Sequence, residues 1–155
     1  MDVLWAVTVL VGCLFLGSLV PQPPNDFWWH LKIGQIIYET RRIPETNLFA
    51  WTIPTNAPFV YGAWLSELLF YLTYHLGQLE LIIFVRNATL ALTLGLTALE
   101  AHRRCGSWKV SALATGLAFL MMMNNLIVRP QNWSWLGFAL FLWLLNHYAD
   151  ERLSS

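Results

Sequence analysis

The sequence is short of charge. Nine Lys and Arg balance nine Asp and Glu, so charged residues make up 12 % of the 155 and the net charge is zero. A soluble domain has about twice that share, at about 25 %. Basic runs of the kind that bind nucleic acid are absent, which excludes that class of partner. Cys13 and Cys105 are the only cysteines, too few for a disulfide framework or a cysteine metal site.

Apolar and aromatic residues fill the composition instead. Hydrophobic residues make up 57 %, with nine Trp, five Tyr and nine Phe, and the mean hydropathy is +0.50. Amphipathic rings concentrate at membrane–water interfaces. The composition therefore predicts an all-α integral membrane protein, with the lipid bilayer as its solvent.

Four apolar runs are long enough to cross a bilayer, which takes about 20 mostly apolar residues. They predict a single polytopic membrane domain over residues 1–155, with spans at 3–20, 79–100, 110–128 and 132–148. For the first run, a signal peptide and a lipoprotein cleavage box at residues 10–13 are the alternatives. The missing basic residues before it favour an uncleaved span.

The long segment 21–77 separates the first two spans. Pro21, Pro23 and Pro24 end the first helix. The sequence then predicts two interfacial helices, at 26–41 and 62–76, joined by an irregular proline-rich loop. The first carries a polar face of Lys32, Gln35, Glu39 and Arg42, and Gly77 ends the second. A helix over 62–76 would be about 22 Å long, short of the roughly 30 Å hydrocarbon core. A short re-entrant span is the alternative for that helix.

Orientation follows from the positive-inside rule. The densest basic loop, 101–109, is predicted to be cytoplasmic, which puts the N-terminus in the cytoplasm and the 21–77 loop outside. If 62–76 crossed the membrane, residues 21–61 would move to the cytoplasm instead.

Two short strings carry a resemblance. Residues 26–31 read Asp-Phe-Trp-Trp-His-Leu and residues 64–67 read Trp-Leu-Ser-Glu. Together with the order of elements, they resemble bacterial members of the GT-C superclass of membrane glycosyltransferases, related to the dolichyl-phosphate-mannose-type protein mannosyltransferases. The resemblance implies sugar transfer from a polyprenyl-phosphate donor at the outer face of a bacterial inner membrane, with a divalent metal ion as a candidate cofactor.

Enzymes of this superclass usually have eight or more spans, whereas this chain has about four predicted ones. The chain is then expected to be the N-terminal part of a longer enzyme, a single-module relative, or a scaffold without the chemistry. A small accessory subunit that docks on a membrane protein partner is the alternative function. A transporter is a weaker one, because no paired broken helices or repeated halves occur.

The two candidate catalytic residues are carboxylates. By the resemblance, Asp26 is the base or a metal ligand, and a helix N-cap is its structural alternative. Glu67 is expected to support Asp26, or to pair with Lys32, Arg86 or a lipid amine.

Two arginines are candidates for the lipid phosphate. Arg86 lies about eight residues into a span, where an ionisable group indicates a functional site, although it could instead snorkel to the headgroups. With Arg129, predicted at the same membrane face, it would form a cradle of planar donors for phosphate. His30 is expected to be a hydrogen-bonding surface residue. Trp28, Trp29, Trp51 and Trp64 are expected to anchor the interface or to stack on sugar rings.

Overall fold

The computed structural model describes residues 2–23 and 25–154 and is all-helical, which confirms the all-α prediction. In chain order the helices are α1 (Val3–Ser18), α2 (Phe27–Thr40), α3 (Trp64–Cys105), α4 (Trp108–Met122), a 3-10 turn (Met123–Asn125) and α5 (Asn132–Ser154). The described residues contain no strand, only one isolated bridge between Thr46 and Pro58. Pro24, one of the three predicted helix-ending prolines, lies outside the described residues.

The chain forms two compact units. The bundle unit comprises Met1–Gln22 and Ile83–Ser155, and the inserted unit comprises Pro23–Ile82. The inserted unit continues at Ile82 directly into the second part of α3, and at its other end four residues join it to α1. This division separates most of the long segment 21–77 from the apolar runs that surround it.

The bundle unit packs α1, α4 and the second part of α3 around one apolar core. That core contains Cys13, Leu90, Leu94, Phe119 and Leu126, all of them buried. Many large apolar side chains of α1, α4 and α5 also point outward, as in a protein whose solvent is not water.

Helix α3 is broken near its first third. Gly77 and Gln78 have non-helical backbone angles, and Gln78 has a φ of 54°, which is unusual for a residue with a Cβ. The break is where the sequence predicts the helix 62–76 to end and the span 79–100 to begin. The helix beyond it runs five residues further than predicted, to Cys105.

Other helix bounds differ modestly from the prediction. Helix α4 ends at Met122, short of 128, and passes into the 3-10 turn. Helix α5 runs beyond residue 148 to Ser154. Arg103 pairs with Glu100 and with Asp150, and Arg104 also contacts both carboxylates. These ion pairs tie the last turns of α3 and α5 together and hold the extra turns of α5 in place.

Helix α3 is the one described helix that is long and apolar enough to cross a membrane, by length and composition. Helix α1 is apolar as well, at 16 residues. The four spans predicted from the sequence stay a prediction, since this criterion selects one helix among the described residues.

The inserted unit is built on α2 and the first part of α3. Ile33, Ile37 and Tyr61 form its buried cluster. The predicted polar face of α2 is present as a hydrogen-bonded chain, with Lys32 donating to Gln35 and Gln35 donating to Glu39. The helix ends at Thr40 and is capped by Arg41, which has a left-handed backbone and donates its N–H to the carbonyl of Ile37.

Candidate acid–base site

A glycine lets α2 and the first part of α3 touch. A methyl group at Gly34 would overlap the backbone carbonyl of Glu67 and would lie 2.9 Å from Cβ of Tyr71. Glycine inside a helix costs about 1 kcal/mol relative to alanine, so its presence here reflects the close approach of the two backbones. His30 lies one turn before Gly34 on α2, and the crossing brings Glu67 into contact with it.

His30 and Glu67 form a buried pair at this crossing. Nδ1 of His30 lies 2.8 Å from Oε1 of Glu67. The Glu67 side chain is 1 % exposed and that of His30 is 12 % exposed. The second carboxylate oxygen of Glu67, Oε2, is buried and has no hydrogen-bond partner among the described residues. A buried carboxylate with one partner is costly, so the pair is unusual for a purely structural contact.

The hydrogen bond fixes what the ring can do. When the Glu67 carboxylate accepts from Nδ1–H, the neutral imidazole carries its lone pair on Nε2. Nε2 has no partner among the described residues, and His30 is the more exposed member of the pair. A carboxylate that orients a histidine so that its other nitrogen can take a proton is the arrangement used in catalytic acid–base pairs.

Asp26 lies at the same end of α2, one turn before His30. It occupies the N-cap position, but its side chain makes no capping hydrogen bond. The side chain of Asn25 accepts from the N–H of Phe27 instead, and the Asp26 carbonyl accepts from the N–H of His30. The capping hydrogen bond expected as the structural alternative for Asp26 is therefore not formed. Residues four apart share a helix face, which puts the Asp26 carboxylate and His30 on one side of α2.

A groove of about 350 Å³ runs along the other side of the same helix crossing. Trp28, Tyr71 and Tyr74 supply aromatic walls, and Lys32 and Gln35 supply polar groups. This is the size and the mixture of apolar walls with few polar groups that small-molecule sites have. Of the tryptophans predicted to stack on sugar, Trp28 lines this groove.

Two more of these tryptophans, Trp29 and Trp64, lie elsewhere in the inserted unit. Trp29 packs against the buried cluster, with its ring centroid 6.2 Å from that of Tyr61. Trp64 begins α3 and lines a shallow surface depression with Ile43 and Val60.

Arg86 has a different environment from the predicted phosphate cradle. It is 3 % exposed, and its guanidinium donates to the carbonyls of Gly17, Val20 and Leu126. Its Nε and Nη2 also donate to Oδ1 of Asn87. These bonds use all five N–H groups of the side chain. The charge sits at the C-terminal end of α1, where the helix dipole favours a cation.

Arg129 lies in the turn before α5. Its backbone N–H donates to the side chain of Asn132, which in turn donates to the carbonyl of Asn125. Since Asn132 is buried, these bonds fix the turn that carries Arg129. The structure thus places Arg86 and Arg129 in the bundle unit, and Asp26, Glu67 and the four candidate tryptophans in the inserted unit.

The described residues contain no group of three or more His, Cys, Asp or Glu side chains that could hold a metal ion. A divalent metal ion at Asp26 stays a prediction from the resemblance.

Comparison of the sequence with protein-family models, curated proteins and solved structures finds no significant match.

The partner of Glu67 was not expected from the sequence, which favoured Lys32, Arg86 or a lipid amine. His30 was expected at the surface. The signal that could have found the pair is Gly34: an isolated glycine in a helical pattern often marks a close packing contact. Glu67 is the acidic residue of the second interfacial helix and His30 precedes the glycine by one turn.

Proposed function

We propose that the chain is a membrane glycosyltransferase-like module that uses a polyprenyl-phosphate-linked sugar donor. The observation that carries the proposal is the buried His30–Glu67 pair at 2.8 Å, with Asp26 one turn away on the same helix. Sugar transfer to a hydroxyl acceptor needs a group that removes the acceptor proton. The resemblance of residues 26–31 and 64–67 to the GT-C superclass points to the same two segments.

In the proposed reaction, the acceptor oxygen attacks the anomeric carbon of the donor sugar. The bond between that carbon and the phosphate oxygen breaks, and the polyprenyl phosphate leaves with the electron pair. Nε2 of His30 takes the acceptor proton, and the Glu67 carboxylate stabilises the imidazolium that forms. Asp26 holds the acceptor hydroxyl beside His30. Glu67 is a positioning residue in this scheme, while His30 and Asp26 touch the acceptor.

The groove lies on the other side of the helix crossing from His30, so we propose it for a part of the donor that is remote from the reacting carbon. Trp28 and Tyr74 offer ring faces there, and Lys32 adds a positive charge. Arg86, whose N–H groups are all bonded within the bundle unit, is left out of donor binding here.

The proposed location is a bacterial inner membrane, with the bundle unit crossing the bilayer and the inserted unit on its outer face. The long apolar helix α3 supports this location. The outward-facing apolar side chains of α1, α4 and α5 support a polytopic arrangement, because a bilayer removes their exposure to water.

The test is sugar release from synthetic polyprenyl-phosphate mannose and polyprenyl-phosphate glucose, labelled in the sugar. The protein is assayed in its native membranes, which supply the acceptor. We expect label to leave one of these donors with the wild type, and His30→Gln to lower the initial rate by about 10²–10⁴-fold, the usual contribution of a general base. Glu67→Gln should lower kcat and leave KM for the donor unchanged.

Glu45→Gln is the matched control, because Glu45 is an exposed carboxylate of the same unit and is expected to keep the wild-type rate. Wild-type rates with both His30→Gln and Asp26→Asn would contradict the proposed site. A wild type that releases sugar from neither donor would contradict the proposed function and favour an accessory subunit.

A further inference from the structure

One loop of the inserted unit turns its apolar side chains outward. The tryptophan loop, residues 46–58, is closed by the Thr46–Pro58 bridge and contains no charged residue. Trp51 at its tip is 93 % exposed, and Leu48, Phe49 and Ile53 around it are exposed as well. Such exposure of a large apolar ring to water is unfavourable.

Several backbone groups of this loop form hydrogen bonds within the inserted unit. The buried side chain of Asn47 donates to the carbonyls of Ala50 and Ile53, at 2.7 and 2.8 Å, and accepts from the N–H of Ala50. The N–H of Ile53 bonds to the carbonyl of Ala50 as well. The phenol of Tyr61 bonds to the carbonyl of Thr46 and the N–H of Leu48.

This combination has a physical meaning. In water, a loop can leave its backbone groups to the solvent and gains nothing from exposing Trp, Phe and Ile. In the acyl region of a bilayer, backbone groups without partners cost several kcal/mol each, whereas outward apolar side chains are stabilised. A loop that pairs part of its backbone internally and presents an uncharged, aromatic tip is suited to the membrane interface, where tryptophan concentrates.

We propose that the tryptophan loop inserts into the headgroup–acyl boundary of the membrane and anchors the inserted unit to it. This inference rests on the membrane location in the proposed function. Arg41 and Arg42, both exposed, precede the loop and suit anionic headgroups, which attract Lys and Arg near the surface. The anchor would hold the helix crossing with His30 close to a lipid-borne donor.

The test uses an environment-sensitive fluorophore on single cysteines of the full chain in nanodiscs. The background is Cys105→Ser, because Cys105 is exposed and Cys13 is buried. The Cys105→Ser protein without an added cysteine measures any labelling of Cys13. Trp51→Cys reports the tip and Asn56→Cys is the matched control on the same loop. Leu92→Cys, at an outward position of α3, reports whether the protein is in the bilayer.

We expect the label at position 51 to emit to the blue of the label at 56. Nitroxide-bearing lipids should quench it as they quench the label at 92, whereas aqueous iodide should quench the label at 56. Iodide quenching at 51, with lipid quenching kept at 92, would overturn the anchor and leave the membrane location intact. Protection at 51 from both quenchers would also overturn it, by showing a protein partner. Loss of lipid quenching at 92 would overturn the membrane location itself.

Discussion

Removing the Arg86 side chain tests whether this buried cation is structural. In Arg86→Leu, the carbonyls of Val20 and Leu126 lose the hydrogen bonds that the guanidinium donates to them. The carbonyl of Gly17 keeps the N–H of Val20. Each buried carbonyl left without a partner costs about 1–3 kcal/mol. We therefore expect a loss of about 2–6 kcal/mol from the two carbonyls.

For a chain of this size, that loss corresponds to a fall in Tm of about 4–24 °C. The assay is thermal exposure of Cys13, which lies in the core of the bundle unit, to a thiol-reactive dye in a Cys105→Ser background. Arg86→Lys should fall between the wild type and Arg86→Leu, because an ammonium has three donors and cannot fork between several carbonyls. Arg104→Leu is the control for loss of a more exposed arginine.

Unchanged melting of Arg86→Leu would refute this reasoning. If that variant also lost affinity for polyprenyl phosphate while keeping affinity for polyprenol, the phosphate role suggested by the sequence would be the better explanation.

Three further substitutions test the packing. Gly34→Ala should separate α2 from α3 and lower the Tm of the protein, while Gly62→Ala, where an added methyl meets nothing within 4 Å, should not. Asn47→Ala should release the tryptophan loop, seen as faster amide hydrogen exchange over residues 48–54 and a loss of about 2 kcal/mol. Ser111→Ala removes a buried 2.6 Å bond to the carbonyl of Ala98 and should cost about 1 kcal/mol, measured by the dye assay. An unchanged value in any of the three contradicts the contact concerned.

The sequence was sufficient for features that depend on local chemistry. Apolar runs located the helices of the bundle unit, and Gly77 marked the break in α3. The spacing of Lys32, Gln35 and Glu39 gave the polar face of α2. Each of these follows from residues within a few turns of one another.

Tertiary pairing was beyond the sequence. His30 and Glu67 are 37 residues apart, and no local pattern says that their helices cross at Gly34. The same holds for Arg86, whose carbonyl partners at Gly17, Val20 and Leu126 come from distant segments. The position of Arg86 inside a predicted span led to the prediction that it binds a lipid phosphate. In the structure its guanidinium donates to backbone carbonyl oxygens.

The most direct test of the central claim is ¹⁵N NMR of the His30 ring in histidine-labelled protein, assigned by comparison with His30→Gln. We expect a protonated Nδ1 and an unprotonated Nε2 in the neutral ring. We also expect that Glu67→Ala, which removes the acceptor, lets both tautomers appear. A proton on Nε2 in the wild type, unchanged by Glu67→Ala, would mean that Glu67 does not orient the ring and that His30 is not the proposed base.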